Sequence, residues 1–337
     1  MKKNREEKYQ SPVRAIYTGI ADLFKKNERI GSLTESDRLD GKRVLITGSS
    51  SGLGLATATE LAKRGAEVVM AVRSGIPEKG ELVKERSGSD KVHMLPVDLS
   101  DAGSIKSFVN NFHSEFGSAD ILVCNAAVVA KRSRKTPQGL DQMFMVNYMA
   151  KFLLVNALID KGCIKSSDHG LPRIIFVASE SHRNPKEYDW EGFGKYREFS
   201  IGESVSLYGY YKLLLVTFAN ELERRINKNG QVNCSVFALC PGPVNSNIAR
   251  EAPAVFKPLM RLVFSVFFKS PEKASEPVVY LATSTDVEGK VKDYLFLMSR
   301  REMDGKATDP ENGKRLWRLS EELAAELMNN EQLIINS

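Results

Sequence analysis

Short apolar runs alternate with amphipathic segments along most of this chain, and this alternation restricts its fold more than any other feature. Most of the runs are continuously apolar, which is typical of strands that are buried on both faces. Such strands belong to a parallel sheet, because each parallel crossover needs a long connection, usually a helix, that covers a face. The pattern predicts strands over residues 43–47, 67–72, 92–97, 120–124, 173–178, 231–239 and 293–297.

The segments between these runs have helical periodicity. Ser100-Asp101 is a favourable N-cap for one of them, and Gly65 and Gly117 stand just past two helix ends, where a left-handed residue is favoured. The repetition of strand, helix and strand indicates an α/β fold with a doubly wound parallel sheet in a single domain. The predicted helices cover residues 53–64, 101–116, 138–160, 206–227 and 271–283.

We place this domain at residues 41–300, between a helical N-terminal extension at 1–40 and a helical C-terminal extension at 301–337. The N-terminal extension has apolar residues at helical spacing from Val13 to Phe24, flanked by basic residues. This pattern is typical of a helix that packs on its own protein or on a partner, and also of a helix that lies on a membrane surface.

Composition excludes several classes of protein. With 42% hydrophobic and 27% charged residues, the chain is not disordered as a whole. No apolar run approaches the roughly 18–20 residues of a membrane span, and the charged start of the chain does not resemble a secretory signal. The net charge of +6 is too small to indicate a nucleic-acid binder. We therefore expect a cytoplasmic protein with no nucleic-acid partner.

The cysteines and histidines are dispersed along the chain. No C-x-x-C spacing, H-E-x-x-H motif or Cys/His cluster is present, so we expect no metal site. Buried free thiols in a reducing compartment are the expected state of the four cysteines. These are Cys124, Cys163, Cys234 and Cys240.

A glycine-rich turn follows the first predicted strand, and a predicted helix begins directly after it. Glycines let the chain turn sharply and let the backbone approach a pyrophosphate, while the helix N-terminus offers free N–H groups to that anion. The context of strand, turn and helix indicates a Rossmann-type dinucleotide site, although the spacing is G-x-x-x-G-x-G rather than G-x-G-x-x-G. The predicted cofactor-binding residues of the turn are Gly48, Ser50, Ser51, Gly52, Leu53 and Gly54.

The second predicted strand ends at Val72-Arg73, without the acidic residue that NAD-selective sites place there for the ribose 2′-OH. A guanidinium can pair with a 2′-phosphate or stack on adenine. We therefore predict that NADP(H) is preferred over NAD(H), with Arg73 among the cofactor-binding residues. The alternative is that Arg73 only stacks and that selectivity is weak.

The helix predicted at 206–227 carries Tyr208 and Lys212 four residues apart, so both project from one face. A free phenol has a pKa of about 10, which is too high for a base near neutrality. We expect the neighbouring ammonium to lower that pKa, so that the pair exchanges a proton with an alcohol or carbonyl oxygen.

Together with the motifs that follow, these features resemble the short-chain dehydrogenase/reductase family over roughly residues 41–300. Each family motif occurs once and in the expected order. Val97-Asp98-Leu99 resembles the segment that contacts adenine, and Cys124-Asn125-Ala126-Ala127 resembles the N-N-A-G segment. Val146-Asn147-Tyr148 resembles the segment of the catalytic asparagine, and Val177-Ala178-Ser179 resembles that of the catalytic serine. Cys240-Pro241-Gly242-Pro243-Val244 resembles the P-G-x-V turn that lies along the nicotinamide.

The resemblance implies a catalytic group made of Asn147, Ser179, Tyr208 and Lys212. In that scheme Tyr208 gives or takes the hydroxyl proton, Ser179 binds the same oxygen, and Lys212 lowers the tyrosine pKa and holds the nicotinamide ribose. Asn147 anchors a water that connects Lys212 to solvent. Further cofactor-binding residues implied by the family are Asp98, Leu99, Asn125, Ala126, Tyr208, Lys212, Pro241, Gly242 and Val244.

Details of the motifs resemble the retinol dehydrogenase-like branch and its relative protochlorophyllide reductase. The family places a substrate lid after the P-G turn, here at about 245–270, and the apolar content of 255–269 indicates an apolar alcohol, aldehyde or ketone as substrate. The resemblance also implies a homodimer that pairs through the helices at 138–160 and 206–227.

The sequence also allows other interpretations of the apolar segment and of the protein's function. The segment 255–269 carries Lys257, Arg261 and Lys269, so it suits contact with a membrane surface as well as with a substrate. A catalytically minor cofactor-binding sensor and a membrane-associated scaffold are the alternatives to an enzyme. Two residues depart from the branch: Lys151 replaces the residue usual near the active site, and Glu180 directly follows Ser179.

Overall fold

The structure, a computed structural model, describes residues 29–166, 170–242, 270–290 and 293–335. Within these ranges eight strands form one sheet in the order β3-β2-β1-β4-β5-β6-β7-β8. Strands β1 to β7 are parallel and β8 is antiparallel to β7. The strands are β1 (Arg43–Thr47), β2 (Glu67–Val72), β3 (Val92–Pro96), β4 (Ile121–Cys124), β5 (Arg173–Val177), β6 (Ser235–Cys240), β7 (Asp293–Phe296) and β8 (Ser299–Arg300).

Helices cover both faces of the sheet, and a separate apolar core lies on each face. The predicted doubly wound α/β fold is therefore confirmed. The helices are α1 (Gly52–Lys63), α2 (Glu78–Ser87), α3 (Ala102–Phe116), α4 (Gln142–Asp160, in which Met145–Met149 form a π-helical turn), α5 (Ile201–Ile226), α6 (Pro271–Thr283), α7 (Gly305–Thr308) and α8 (Pro310–Ile335).

Strand order reverses between β1 and β4, because β1 lies between β2 on one side and β4 on the other. In an open α/β sheet, a crevice forms at such a reversal, outside the carboxyl ends of the strands. The glycine-rich turn follows β1, so it lies at this crevice.

Helix α2 was not predicted, because this helix is mostly charged and buries only Gly80 and Val83. Helix α5 begins at Ile201, earlier than the predicted residue 206. The signal was present, since Ser200 and Glu203 form a capping box at the start of α5.

Strand β6 begins at Ser235 rather than at residue 231 as predicted. The side-chain oxygen of Asn227 accepts hydrogen bonds from the backbone N–H groups of Asn233 (2.8 Å) and Cys234 (3.1 Å). These bonds close a loop that the apolar pattern did not reveal.

Helix α8 packs across α4 and α5. The indole of Trp317 lies against Phe152 (5.2 Å between ring centroids) and Phe218 (5.8 Å). The hydroxyl groups of Tyr148 and Ser320 are 2.6 Å apart and share a hydrogen bond within the core. These contacts fix the C-terminal helix against the middle of the fold. Pairing of two subunits through α4 and α5 stays a prediction.

The remaining predictions concern single residues and segments. All four cysteines are buried free thiols, as predicted.

Among the described helices, α4 has the length and apolar character to cross a membrane, and most of it is buried inside the protein. The apolar segments 13–24 and 255–269 lie outside the described residues.

Candidate active site

The glycine-rich turn forms a tight cradle against the end of β4. Gly48 has a φ of 67°, and a Cβ on it would lie 2.8 Å from the Cα of Ala126. A Cβ on Gly54 would lie 2.4 Å from the carbonyl oxygen of Gly48 and 2.5 Å from Nδ2 of Asn125. Asn125 Nδ2 in turn donates to the carbonyl oxygens of Thr47 (2.9 Å) and Gly48 (3.1 Å). The predicted cofactor residues of the turn and of the β4 end are therefore in direct contact.

The N-terminus of α1 opens from this cradle. Its N-cap, Ser51, is exposed and makes no side-chain hydrogen bond to the helix, and no acidic residue lies in the first turn. Gly52 has a φ of 54°, a conformation that favours glycine. Ser50 and Leu53 are half-buried beside it. Because the first N–H groups of a helix favour an anion, these residues suit the pyrophosphate of a dinucleotide.

Arg73 lies at the end of β2, and Asp98 follows β3. Arg73 Nη1 and Asp98 Oδ2 are 4.0 Å apart, and the Arg73 side chain is 66% exposed. A loose, exposed ion pair contributes little free energy, so the guanidinium can turn toward another anion. The second oxygen of Asp98 accepts from the backbone N–H (2.8 Å) and the hydroxyl (2.6 Å) of Ser100. Leu99, between them, is buried.

Three of the four predicted catalytic side chains meet at the carboxyl end of β5. Ser179 is the N-cap of the short turn Glu180–Arg183, and its hydroxyl oxygen accepts from the Ser181 hydroxyl at 2.9 Å. The Tyr208 hydroxyl of α5 lies close enough to Ser179 for the interaction between them to lower the tyrosine pKa. Lys212 is buried one turn further along α5, and its Nζ donates to the carbonyl oxygen of Val177 at 2.7 Å. Gly209 lets α5 come this close, because a Cβ there would lie 2.8 Å from the Ser181 carbonyl oxygen.

The expected effect of Lys212 on Tyr208 is not found in this structure. Burial raises the pKa of Tyr208, and the neighbouring Cys240 thiol raises it further, while the hydrogen bond with Ser179 acts in the opposite direction. Lys212 Nζ lies 5.5 Å from the centre of the tyrosine ring and is directed to Val177. Burial lowers the pKa of Lys212 itself to about 8. The prediction of a lowered tyrosine pKa was therefore wrong for this state, because burial dominates.

Asn147 lies on the π-helical turn of α4 and is fully buried. Its Oδ1 accepts from the backbone N–H of Val128 (3.1 Å), and its Nδ2 donates to the carbonyl oxygen of Val128 (2.8 Å). The side chain therefore holds the loop after β4 in place. Its role in binding a water stays a prediction.

The turn after β6 contributes Pro241 and Gly242. Gly242 has a φ of 79°, and a Cβ there would lie 2.5 Å from a methyl carbon of Leu297. Val244, the last predicted cofactor-binding residue, lies outside the described residues.

Two residues next to Ser179 connect it to the C-terminal part of the chain. His182 Nδ1–H donates to the Ser179 carbonyl oxygen at 2.7 Å, and its Nε2 accepts from the backbone N–H of Asp304 at 3.4 Å. Glu180 accepts from the hydroxyl of Tyr294 (2.8 Å) and from Arg301 (3.0 Å). His182 was not predicted as a site residue, because an isolated histidine after a strand forms no motif with its neighbours in the sequence.

We expect His182 to make the protein less stable in acid. Burial, followed by the charge of Arg183, lowers the pKa of His182 to about 4. The unfolded chain has an ordinary histidine pKa of about 6.5, so it binds a proton that the folded state does not bind between these values. This group should therefore reduce the free energy of unfolding by about 2 kcal/mol from pH 7 to pH 5.

Urea unfolding of the wild type and of His182→Gln at both pH values measures this contribution. The variant should show a smaller loss of stability on acidification. Equal losses of stability in the two proteins would mean that the folded protein binds a proton at His182 as readily as the unfolded chain does.

Comparison with known proteins gives consistent matches. The family model described as short chain dehydrogenase matches residues 42–189. The chain is 34% identical to retinol dehydrogenase 14 of Mus musculus over 88% of this chain and 90% of that one. It is 31% identical to dehydrogenase/reductase SDR family member 13 of Homo sapiens over 85% of this chain and 74% of that one. A crystal structure of a protein from Mycobacterium Paratuberculosis, 26% identical, superposes with a TM-score of 0.66 over 88% of this chain and 98% of that one.

Proposed function

The chain belongs to the short-chain dehydrogenase/reductase family, in its retinol dehydrogenase-like branch, and from this premise we propose a specific reaction for it. The family makes it an oxidoreductase of CH–OH and C=O groups that uses NAD(P). We propose that it transfers a hydride between NADP(H) and an apolar alcohol, aldehyde or ketone of retinol-, isoprenoid- or steroid-like character.

The observation that carries this proposal is the meeting of Ser179, Tyr208 and Lys212 at the sheet edge that also holds the glycine cradle. The nicotinamide supplies or accepts the hydride when it is bound. Tyr208 exchanges a proton with the substrate oxygen, and Ser179 hydrogen-bonds the same oxygen and stabilises charge that develops on it. The fold brings the Tyr208 and Ser179 hydroxyl groups together at the carboxyl end of β5.

The other two predicted residues support this pair. Lys212 would hold the nicotinamide ribose when the cofactor is bound, and its bond to Val177 keeps α5 close to β5. Asn147 fixes the loop after β4 through Val128. Oxidation of NADPH by retinaldehyde and by a long-chain aldehyde, compared between the wild type and a Tyr208 variant, tests the proposed reaction.

Arg73 supports the preference for NADP(H), because it is exposed at the end of β2, where no acidic side chain occupies the strand end. We expect Arg73→Ala to weaken NADPH binding by about tenfold, since a hydrogen bond to a charged phosphate is lost. NADH binding should change by less than about twofold, because NADH lacks that phosphate. Fluorescence titration with both cofactors measures the two dissociation constants.

Arg86→Ala is the matched control, because Arg86 is an exposed arginine near the end of α2. It should bind both cofactors as the wild type does. Equal weakening of NADPH and NADH by Arg73→Ala would contradict the preference and would mean that Arg73 only stacks on the adenine.

The proposal of an apolar substrate rests on the sequence of residues 255–269 and on the names of the relatives.

We propose a cytoplasmic location for the protein. Residues 13–24 and 255–269 are the segments that would contact a membrane surface from which such a substrate is collected.

A further inference from the structure

Lys151 is a buried lysine at the active site that the proposed reaction does not use. It lies on α4 one turn after Asn147, and only 2% of it is exposed. Its Nζ donates to the carbonyl oxygen of Ala126 at 2.6 Å and to the carbonyl oxygen of Val146. Both acceptors belong to segments that carry predicted site residues.

The two acceptors belong to different segments of the chain, one after β4 and one on α4. Ala126 is the residue against which Gly48 of the cradle packs, with 2.8 Å between its Cα and a Cβ placed on Gly48. Val146 directly precedes Asn147 on the π-helical turn. Lys151 therefore connects the wall of the cradle to the helix turn that carries Asn147.

Within the described residues, the Lys151 amine has two acceptors, the carbonyl oxygens of Ala126 and Val146. A neutral amine has two N–H donors, which the two carbonyl oxygens satisfy, whereas an ammonium would carry a third N–H into a buried site. Burial lowers the pKa of Lys151 well below its ordinary value, and the charge of Lys212 on α5 lowers it further. The Cys124 thiol at the end of β4 acts in the opposite direction.

We propose that Lys151 is a positioning residue: as an uncharged amine, it ties the cradle wall at Ala126 to the turn of Asn147 and so keeps the bound cofactor in register with Tyr208. This inference rests on the proposed function for its effect on turnover, but its effect on cofactor binding does not depend on the identity of the substrate.

Three substitutions at position 151 distinguish the effect of losing the hydrogen-bond donor from the effect of a permanent positive charge. Methionine retains the length and apolar stem but removes the hydrogen bonds of the amine to both carbonyl oxygens. Glutamine is shorter and neutral, with two N–H donors, whereas arginine has donors but carries a permanent charge. Lys161→Met is the matched control, since Lys161 is exposed at the end of the same helix.

The measurements are the dissociation constant for NADPH, kcat per cofactor-binding site with retinaldehyde, and the melting temperature. We expect Lys151→Met to weaken NADPH binding and to reduce kcat, each by about tenfold, because a buried carbonyl loses its donor. Lys151→Gln should recover part of both losses, and Lys151→Arg should not. Lys161→Met should match the wild type.

A folded Lys151→Met variant with wild-type NADPH affinity and kcat per site would overturn the proposal, even if its melting temperature fell. If the methionine variant does not fold, the other two decide, because an arginine variant that equals or exceeds the glutamine variant excludes a neutral amine. Failure of the proposed function has a different signature: the wild type would bind NADPH but would not reduce the aldehyde, and the binding comparison would still test Lys151.

Discussion

Replacement of Tyr208 by phenylalanine is expected to reduce turnover by about 10²–10⁴-fold while leaving NADPH affinity within about twofold of the wild type. The phenol is the group that carries the proton in the proposed reaction, and in the structure it interacts with Ser179, which lowers the tyrosine pKa. Phenylalanine retains the ring that packs against the core on this side of the sheet. The loss should therefore appear in kcat, with cofactor binding measured separately by fluorescence titration.

Tyr210→Phe is the control for this experiment. Tyr210 lies two residues further along α5, and its hydroxyl is hydrogen-bonded to the backbone of Asp189 rather than to Ser179. The same atom is removed from the same helix, so turnover should stay within about twofold of the wild type. Substantial turnover by Tyr208→Phe would refute the assignment of proton transfer to Tyr208.

The second large effect is expected from Gly54→Ala. The added methyl group would lie 2.4 Å from the carbonyl oxygen of Gly48 and 2.5 Å from Nδ2 of Asn125, so the backbone at Gly48 and the Asn125 side chain must move to admit it. Overpacking of this kind costs about 1–3 kcal/mol, and tenfold in affinity corresponds to about 1.4 kcal/mol. We therefore expect NADPH and NADH to bind about 10–100-fold more weakly, by fluorescence titration of the folded variant.

Gly202→Ala tests whether this loss is specific to the cradle. Gly202, like Gly54, lies in the first turn of a helix, but a Cβ there has only the Ser200 hydroxyl oxygen nearby, at 3.8 Å. Alanine should be accommodated there with wild-type affinity for both cofactors, because it is the better helix former. Wild-type affinity in Gly54→Ala would mean that the cofactor does not use this cradle.

Local patterns in the sequence were sufficient for the architecture. Continuous apolar runs such as Val44–Ile46 predict strands that are buried on both faces, and the turn from Gly48 to Gly54 predicts the cradle, because both depend on neighbouring residues. The four-residue spacing of Tyr208 and Lys212 places them on one face of a helix for the same reason. Helix α2 was missed because its few buried residues do not form an apolar stripe.

Contacts between residues that are far apart in the chain could not be predicted from such local patterns. The contact of Trp317 with Phe152 and Phe218 joins parts of the chain that are far apart, and it fixes α8 against α4 and α5. The bond from His182 to the Ser179 carbonyl, and the contact of His182 with Asp304, likewise depend on how the C-terminal segment returns to the site.

The sequence by itself thus determined the fold class, the place of the cofactor turn and the identity of the residues proposed for proton transfer. Only the tertiary structure decided their electrostatic state, because a pKa depends on burial and on every charge nearby. It is burial that raises the pKa of Tyr208 and lowers those of Lys212 and Lys151. The same reason explains Lys151, whose departure from the branch is visible in the sequence but whose two carbonyl partners are brought together only by folding.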